Sequence, residues 1–256
     1  MKQTAQWPSV KKLTLNDLAE VIVAGIQDFR AAPQFGLCFG SLYVLAGWLI
    51  IILLWYLGWV YLAYPLAMGF ALIAPFAAVG FYAVSEHLEK GKPLSWSSIL
   101  DSIGIAARRD LRWMALVTGF ALVLWMDIAA FLFFGFVGLE GFHADFLATL
   151  FASPSGLIFL VVGNVVGALI ALLIFSISVV SFPMLYERDI DFVTAMVTSV
   201  QLVLTNPLTM IVWCVLIGIS VVISVLSMFI GLFIVLPIVG HTTWHLYRRA
   251  VEPEER

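Results

Sequence analysis

Few residues in this chain could do chemistry. His241 and His245 stand four apart in PIVGHTTWHLYRR, residues 237–249, with Trp244 between them and Tyr247, Arg248 and Arg249 after. On a helix the two imidazoles share one face and could chelate a metal. The motif is HTTWH, so the glutamate that acts as general base in HExxH proteases is missing. A single helix cannot supply both axial ligands of one haem, because these approach from opposite faces. No cluster of His, Cys, Asp or Glu in the sequence completes a metal site; His87 is the one helper on the same side of the topology worked out below. Trp244, Tyr247 and Arg248 are residue types that fasten a helix end at a membrane surface. The expectation for His241, His245, Trp244, Tyr247 and Arg248 is therefore anchoring and interhelical hydrogen bonding first, and a ligand contact second. No metal and no cofactor are expected.

Asp127, in ALVLWMDIAAFLF, is the sole acidic residue deep inside an apolar run. A charge at that depth costs roughly 2.5–3.5 kcal/mol on insertion scales, which marks it as a functional candidate. Asn164, in VVGNVVGAL, lies at a matching depth on the next apolar run, and a buried Asp127–Asn164 hydrogen bond is expected. Arg108, Arg109 and Arg112, in RRDLRW, could meet anionic lipid head groups. GLCFG (36–40) and GNVVG (163–167) are GxxxG patterns that permit close helix approach, a frequent pattern in apolar sequence. There is no phosphate loop, nucleotide fingerprint, nucleophile elbow or nucleic-acid surface, and no catalytic residue is assigned.

The elements that must position these residues are membrane helices. Hydrophobic residues make up 62% of the chain and charged ones 11%, against about 25% charged in a soluble domain. Several apolar runs reach about 20 residues, enough to cross roughly 30 Å of hydrocarbon. Spanning segments must satisfy their own backbone, which favours helices, and the alternation of a membrane barrel is absent. Six spans are expected: 38–57, 62–85, 113–136, 156–185, and two within 208–247 separated by a turn near 227–231. The stretch MKQTAQWPSVKKLTLNDL contains no apolar segment of the signal-peptide kind, so no cleaved signal peptide is expected. Cys38 and Cys214 lie in or beside apolar runs, where structural thiols are expected. With these spans all 13 Lys and Arg fall on one side, which by the positive-inside rule is the cytoplasm, with both termini in it. A bacterial inner membrane is the simplest setting.

The segments between spans are patterned too. Residues 14–30 carry Leu15, Leu18, Ile22, Ile26 and Phe29 as an apolar stripe, with Thr14 as N-cap. Trp96, Ile99, Leu100, Ile103 and Ala107 repeat the idea, and so do Phe192, Ala195, Met196, Val200 and Val203. The fold class expected is thus all-α, with six transmembrane helices arranged as three repeats, each an interfacial amphipathic helix followed by a helical hairpin. The boundaries are 1–12 (tail), 13–94, 95–189, 190–251 (the three repeats) and 252–256 (tail).

SFPMLYERDIDFVTAMVTSV (181–200), NPLTMIVW (206–213) and PIVGHTTWHLYRR resemble a bacterial integral membrane family, domain of unknown function 2189. The likeness runs from about Leu13 to Val251. It implies a six-span protein of an inner membrane and carries no activity with it. By elimination the residues favour a non-catalytic accessory or assembly subunit of a larger inner-membrane complex, a respiratory one among the candidates. Its partners would be membrane lipids and another membrane protein, with no nucleic acid. The alternatives are a small-solute or proton-coupled transporter working through Asp127, and a lipid-organising protein.

Overall fold

The computed structural model describes residues 8–59, 62–107, 110–138 and 150–252. Among them the regular structure is helical: α1 (Leu15–Ala31), α2 (Pro33–Leu57), α3 (Ala63–Glu89), α4 (Trp96–Ala107), α5 (Leu111–Phe136), α6 (Pro154–Ser178), α7 (Ser181–Glu187), α8 (Phe192–Thr205), α9 (Pro207–Leu226) and α10 (Leu232–Ala250). Four stretches are long and apolar enough to cross a membrane: Pro33–Leu57, Leu111–Phe136, Pro154–Glu187 and Pro207–Leu226. They match the first, third, fourth and fifth expected spans.

Each boundary has a local cause. Thr14 and Asp17 form a capping box at α1, each accepting the other's backbone N–H. The Thr14 hydroxyl and amide, with the Arg249 guanidinium 2.6 Å away, hold the Asp17 carboxyl down at about 2. Asp191 caps α8 by accepting from the Thr194 amide, and the Thr194 hydroxyl, with that amide, holds its carboxyl below the ordinary value. Gly58 ends α2 with φ +72°, a left-handed conformation that glycine adopts without penalty. Two helix junctions share one geometry. Ala32 (φ −139°, ψ 53°) before Pro33 and Asn206 (φ −128°, ψ 54°) before Pro207 each break the chain between a short helix and a long one. Proline at N1 suits both, because that N–H has no helical partner to lose.

The expected turn between the last two helices is present at residues 227–231. Met228 and Phe229 adopt φ +55° and +67° there. The Phe229 ring plugs against Gly47, where a Cβ would lie 3.0 Å from it. Trp48 Nε1 donates to the Met228 carbonyl at 2.7 Å.

α10 is the axis of the bundle, flanked by α1, α2, α3 and α9. Its approach to α1 depends on Gly25, where a Cβ would stand 2.3 Å from Thr242 Oγ1 and 2.6 Å from the Thr242 backbone nitrogen. The buried face of α1 is Leu18, Val21 and Gly25, while Leu15 is exposed. That face is rotated from the expected stripe, because the glycine that admits α10 sets the contact. The buried faces of α4 (Ile99, Ala106) and α8 (Ala195, Thr198, Ser199, Leu202) likewise keep only part of the expected stripes. The main core joins α1, α3, α7, α8 and α10 through residues such as Tyr82, Phe182 and Trp244; a second, of Ala121, Trp125 and Ile174, joins α5 to α6. The chain ends are tied together as well. Val10 bridges Val251, and the Asn206 side chain clasps Lys11 and Leu13.

A candidate functional site at the charged end of the bundle

The carboxyl ends of α3, α7 and α10 converge on one end of the bundle, α1 runs antiparallel along α10, and there the polar residues gather. Asp28 comes from α1, Ser85 from α3, and His241 and His245 from successive turns of α10. Ser85 Oγ donates to Asp28 Oδ2 at 2.6 Å, and His245 Nε2 donates to the same oxygen at 2.8 Å. With the serine proton engaged, the 2.8 Å contact between Ser85 Oγ and His241 Nδ1 has the imidazole as donor. The result is one chain of hydrogen bonds, His245–Asp28–Ser85–His241. His241 is fully buried, and its Nε2 has no hydrogen-bond partner among the described residues. Burial by itself would raise the Asp28 carboxyl. Hydrogen bonds from His245 and Ser85, with the field of the imidazoles, outweigh it and hold the group below its ordinary value.

Serine, histidine and aspartate in contact invite comparison with a hydrolytic triad, but the roles do not fit. A triad serine gives its proton to histidine, which a carboxylate orients from the far side. Here the serine faces the carboxylate directly and is itself fully buried. The chain holds three helices in register, with His245 donating from one side and His241, through Ser85, from the other, both toward Asp28.

A second layer surrounds it. Glu86 accepts from Lys90 (2.7 Å), Lys92 (3.1 Å) and the Tyr186 hydroxyl (2.6 Å). Glu89 accepts from Trp244 Nε1 (3.1 Å) and Arg248 Nη2 (2.7 Å). The Tyr247 hydroxyl donates to Glu187 and accepts from Arg188 Nε, at 2.6 and 2.8 Å. Arg249 reaches across to Asp17 and Glu20.

The expected site residues therefore separate. His241, His245, Trp244, Tyr247 and Arg248 are brought together, but Trp244 and Tyr247 are buried in the bundle rather than turned to a membrane surface. Trp244 stacks on Tyr82, with ring centroids 6.3 Å apart. His87 is no helper: its Nδ1 pairs with the Ala83 carbonyl of its own helix. Arg112 is exposed beside Trp113, its guanidinium 5.5 Å from the ring centroid, whereas Arg108 and Arg109 lie outside the described residues. Asp127 and Asn164 do not meet. Asn164 Nδ2 donates to the Leu160 carbonyl at 2.7 Å and lines an open groove, while Asp127 is exposed on the outer face of α5. Asp127 lies two residues, about 200°, from Trp125, which points inward toward Gly167 of α6. Equal depth did not bring equal direction.

Sequence reasoning missed Asp28, Ser85, Glu86, Glu89 and Glu187. A signal existed for Asp28: it continues the 18–21–25 spacing of the buried α1 face. The stripe drawn from hydropathy ran through other positions and left it on the polar side.

Away from the charged end, a cavity of about 420 Å³ opens between α6 and α9 over a floor of α3 and α10. Small residues shape it, among them Gly163, Gly167 and Gly218, and Asn164, Ser178 and Thr243 are its main polar side chains.

The family model of domain of unknown function 2189, described as a predicted integral membrane protein, matches residues 62–187, from the start of α3 through α7. This is the family that the sequence resembles. No curated protein and no solved structure matches it.

Proposed function

We propose that this integral membrane protein is a non-catalytic accessory or assembly subunit of a larger inner-membrane complex, respiratory assemblies being one candidate host. The observation that carries the reading is the division of its polar and apolar surfaces. The polar groups of the charged end are spent on holding α1, α3, α7 and α10 together. The membrane-facing side offers an apolar, glycine-lined groove between α6 and α9. A transport route through Asp127 calls for a polar cavity at that residue, and Asp127 stands on the outer surface instead.

In this reading α3 and α10 complete a set of six spans, in three units of interfacial helix and hairpin. The common geometry at Ala32–Pro33 and Asn206–Pro207 supports a shared unit for the first and third. Exposed Leu15, Trp96, Leu100, Ile105 and Val193 suit helices lying against lipid. The placement of all 13 Lys and Arg supports cytoplasmic termini in a bacterial membrane.

One observation favours a second reading, proton-coupled transport: the His245–Asp28–Ser85–His241 chain leads inward to an imidazole nitrogen without a partner. Reconstitution into vesicles with a pH-sensitive dye separates the two. The accessory reading expects a proton leak equal to that of empty vesicles. A flux that falls in Asp127→Asn or His241→Gln would establish transport in its place.

A further inference from the structure

The outer face of α5 carries Leu116, Phe120, Val123, Asp127, Ala130 and Phe134, and every one is exposed. Their spacing, 4-3-4-3-4, is that of a two-stranded helical seam. It covers about 27 Å, close to the thickness of a bilayer's hydrocarbon core. The opposite face, with Met114, Thr118, Ala121 and Trp125, is buried inside the bundle. Asp127 thus sits within an otherwise apolar, outward seam, and it forms no hydrogen bond within its own chain among the described residues. A carboxyl cannot be left there against lipid tails, so something with hydrogen-bonding capacity at the same depth must cover it.

We propose that the cover is a second copy of this chain, paired α5 to α5 in parallel about a two-fold axis along the membrane normal. The membrane itself singles out this partner. Copies inserted by the same rule have the same orientation, so their α5 helices lie parallel at equal depth. An isologous two-fold contact then sets each seam position on or beside its own image, and Asp127 faces Asp127. In another protein, a polar group at that depth and direction would be a coincidence. Two side chains so placed can hydrogen-bond to each other across the seam. A lone polar residue in an apolar seam also fixes the register of the pair. The groove between α6 and α9 lies on other helices and stays open in such a dimer.

The inference rests on α5 crossing the membrane and not on the accessory role. A dimer with no other subunit would leave it standing while removing that role. The test is disulfide cross-linking in native membranes, on a chain freed of its cysteines by Cys38→Ala and Cys214→Ala. Single cysteines replace Phe120 or Val123 on the seam, and Leu49, an exposed residue of α2, serves as control. The seam cysteines should give a cross-linked dimer and Leu49 should not. Asp127→Leu removes no contact within the chain and should fold; it should weaken dimerisation by about 3- to 30-fold, the range of a membrane-buried hydrogen bond. Asp127→Asn keeps a self-pairing side chain and should retain most of the dimer. The proposal falls if the seam cross-links no more than Leu49, if Asp127→Leu changes nothing, or if the seam yields adducts only with a different protein.

Discussion

The clasp of α1, α3 and α10 and the α5–α6 hairpin come from one apolar chain, yet they are stabilised in different ways. In the clasp, Gly25 and Gly240 let backbones approach until a single added Cβ would collide, with Thr242 in one case and Phe81 in the other. Buried Tyr82, Trp244 and Tyr247 fill the space, and Asp28, Ser85 and His241 cross-link it. In the hairpin, among the described residues, Ala121, Trp125 and Ile174 form the buried centre of a small cluster, and Gly119, Gly135 and Gly163 have open space where a side chain would be. Lipid gives apolar surface no reason to leave it, so helices in a membrane hold together by close packing and hydrogen bonds. The clasp has both. The hairpin has little of either, and most of its surface is free to meet something else.

The sharpest way to break this contrast is a matched pair of tryptophan truncations. Trp244→Ala should cost about 3–5 kcal/mol, since it leaves a cavity in rigid surroundings and strips Glu89 of a donor. Trp125→Ala should cost less, about 2 kcal/mol, because lipid or solvent can enter from the adjoining groove. Unfolding in mixed micelles, followed by tryptophan-independent circular dichroism, measures both, and equal losses would erase the distinction. The glycines offer a second pair. Gly25→Ala should destabilise by about 1–3 kcal/mol through collision with the Thr242 backbone. Gly163→Ala, with nothing within 4 Å, should stay within about 0.5 kcal/mol of the parent.

Asp28→Ala should cost about 1–3 kcal/mol by leaving Ser85 and His245 without their acceptor. The same residue predicts a pH effect. Its carboxyl is held below its ordinary value when folded, by the His245 and Ser85 hydrogen bonds that outweigh burial, and returns to that value on unfolding. The unfolded chain therefore takes up the proton first as pH falls. The stabilisation is complete above about pH 4 and is lost as pH drops through the folded value. Melting temperatures from pH 6 to 3 should show this loss, with a flatter profile in Asp28→Asn. The smallest effect belongs to Arg249→Ala. Its pairs with Asp17 and Glu20 are exposed to solvent, and less than about 1 kcal/mol is expected.

How legible all this was from sequence depended on the property asked about. Where helices begin and end was readable: apolar runs of bilayer length located the four helices long and apolar enough to cross a membrane, and the turn at 227–231 fell where no polar loop marked it. Which way a helix faces was much less so. Hydropathy drew the α1 stripe through Leu15 and Ile22, but Gly25, which carries no hydropathic signal, set the true contact. Asp28 extends that buried face as a charge, and its partner Ser85 lies 57 residues away on another helix. Asp127 and Asn164 lie about 13 Å and 15 Å along the axis from the adjoining ends of α5 and α6. Rotation about the axis, which decides contact, is set by Trp125 packing against Gly167. For the histidines, the sequence showed a shared face but not the aspartate and serine waiting opposite.

The accessory role is tested most directly by extracting the tagged protein from native membranes in mild detergent and resolving it on a native gel, with mass spectrometry of each band. Co-migration with a larger complex in fixed stoichiometry, surviving in Asp127→Asn, is the expected result. A band holding this chain alone, as monomer or dimer, in membranes where it is normally made, would contradict it.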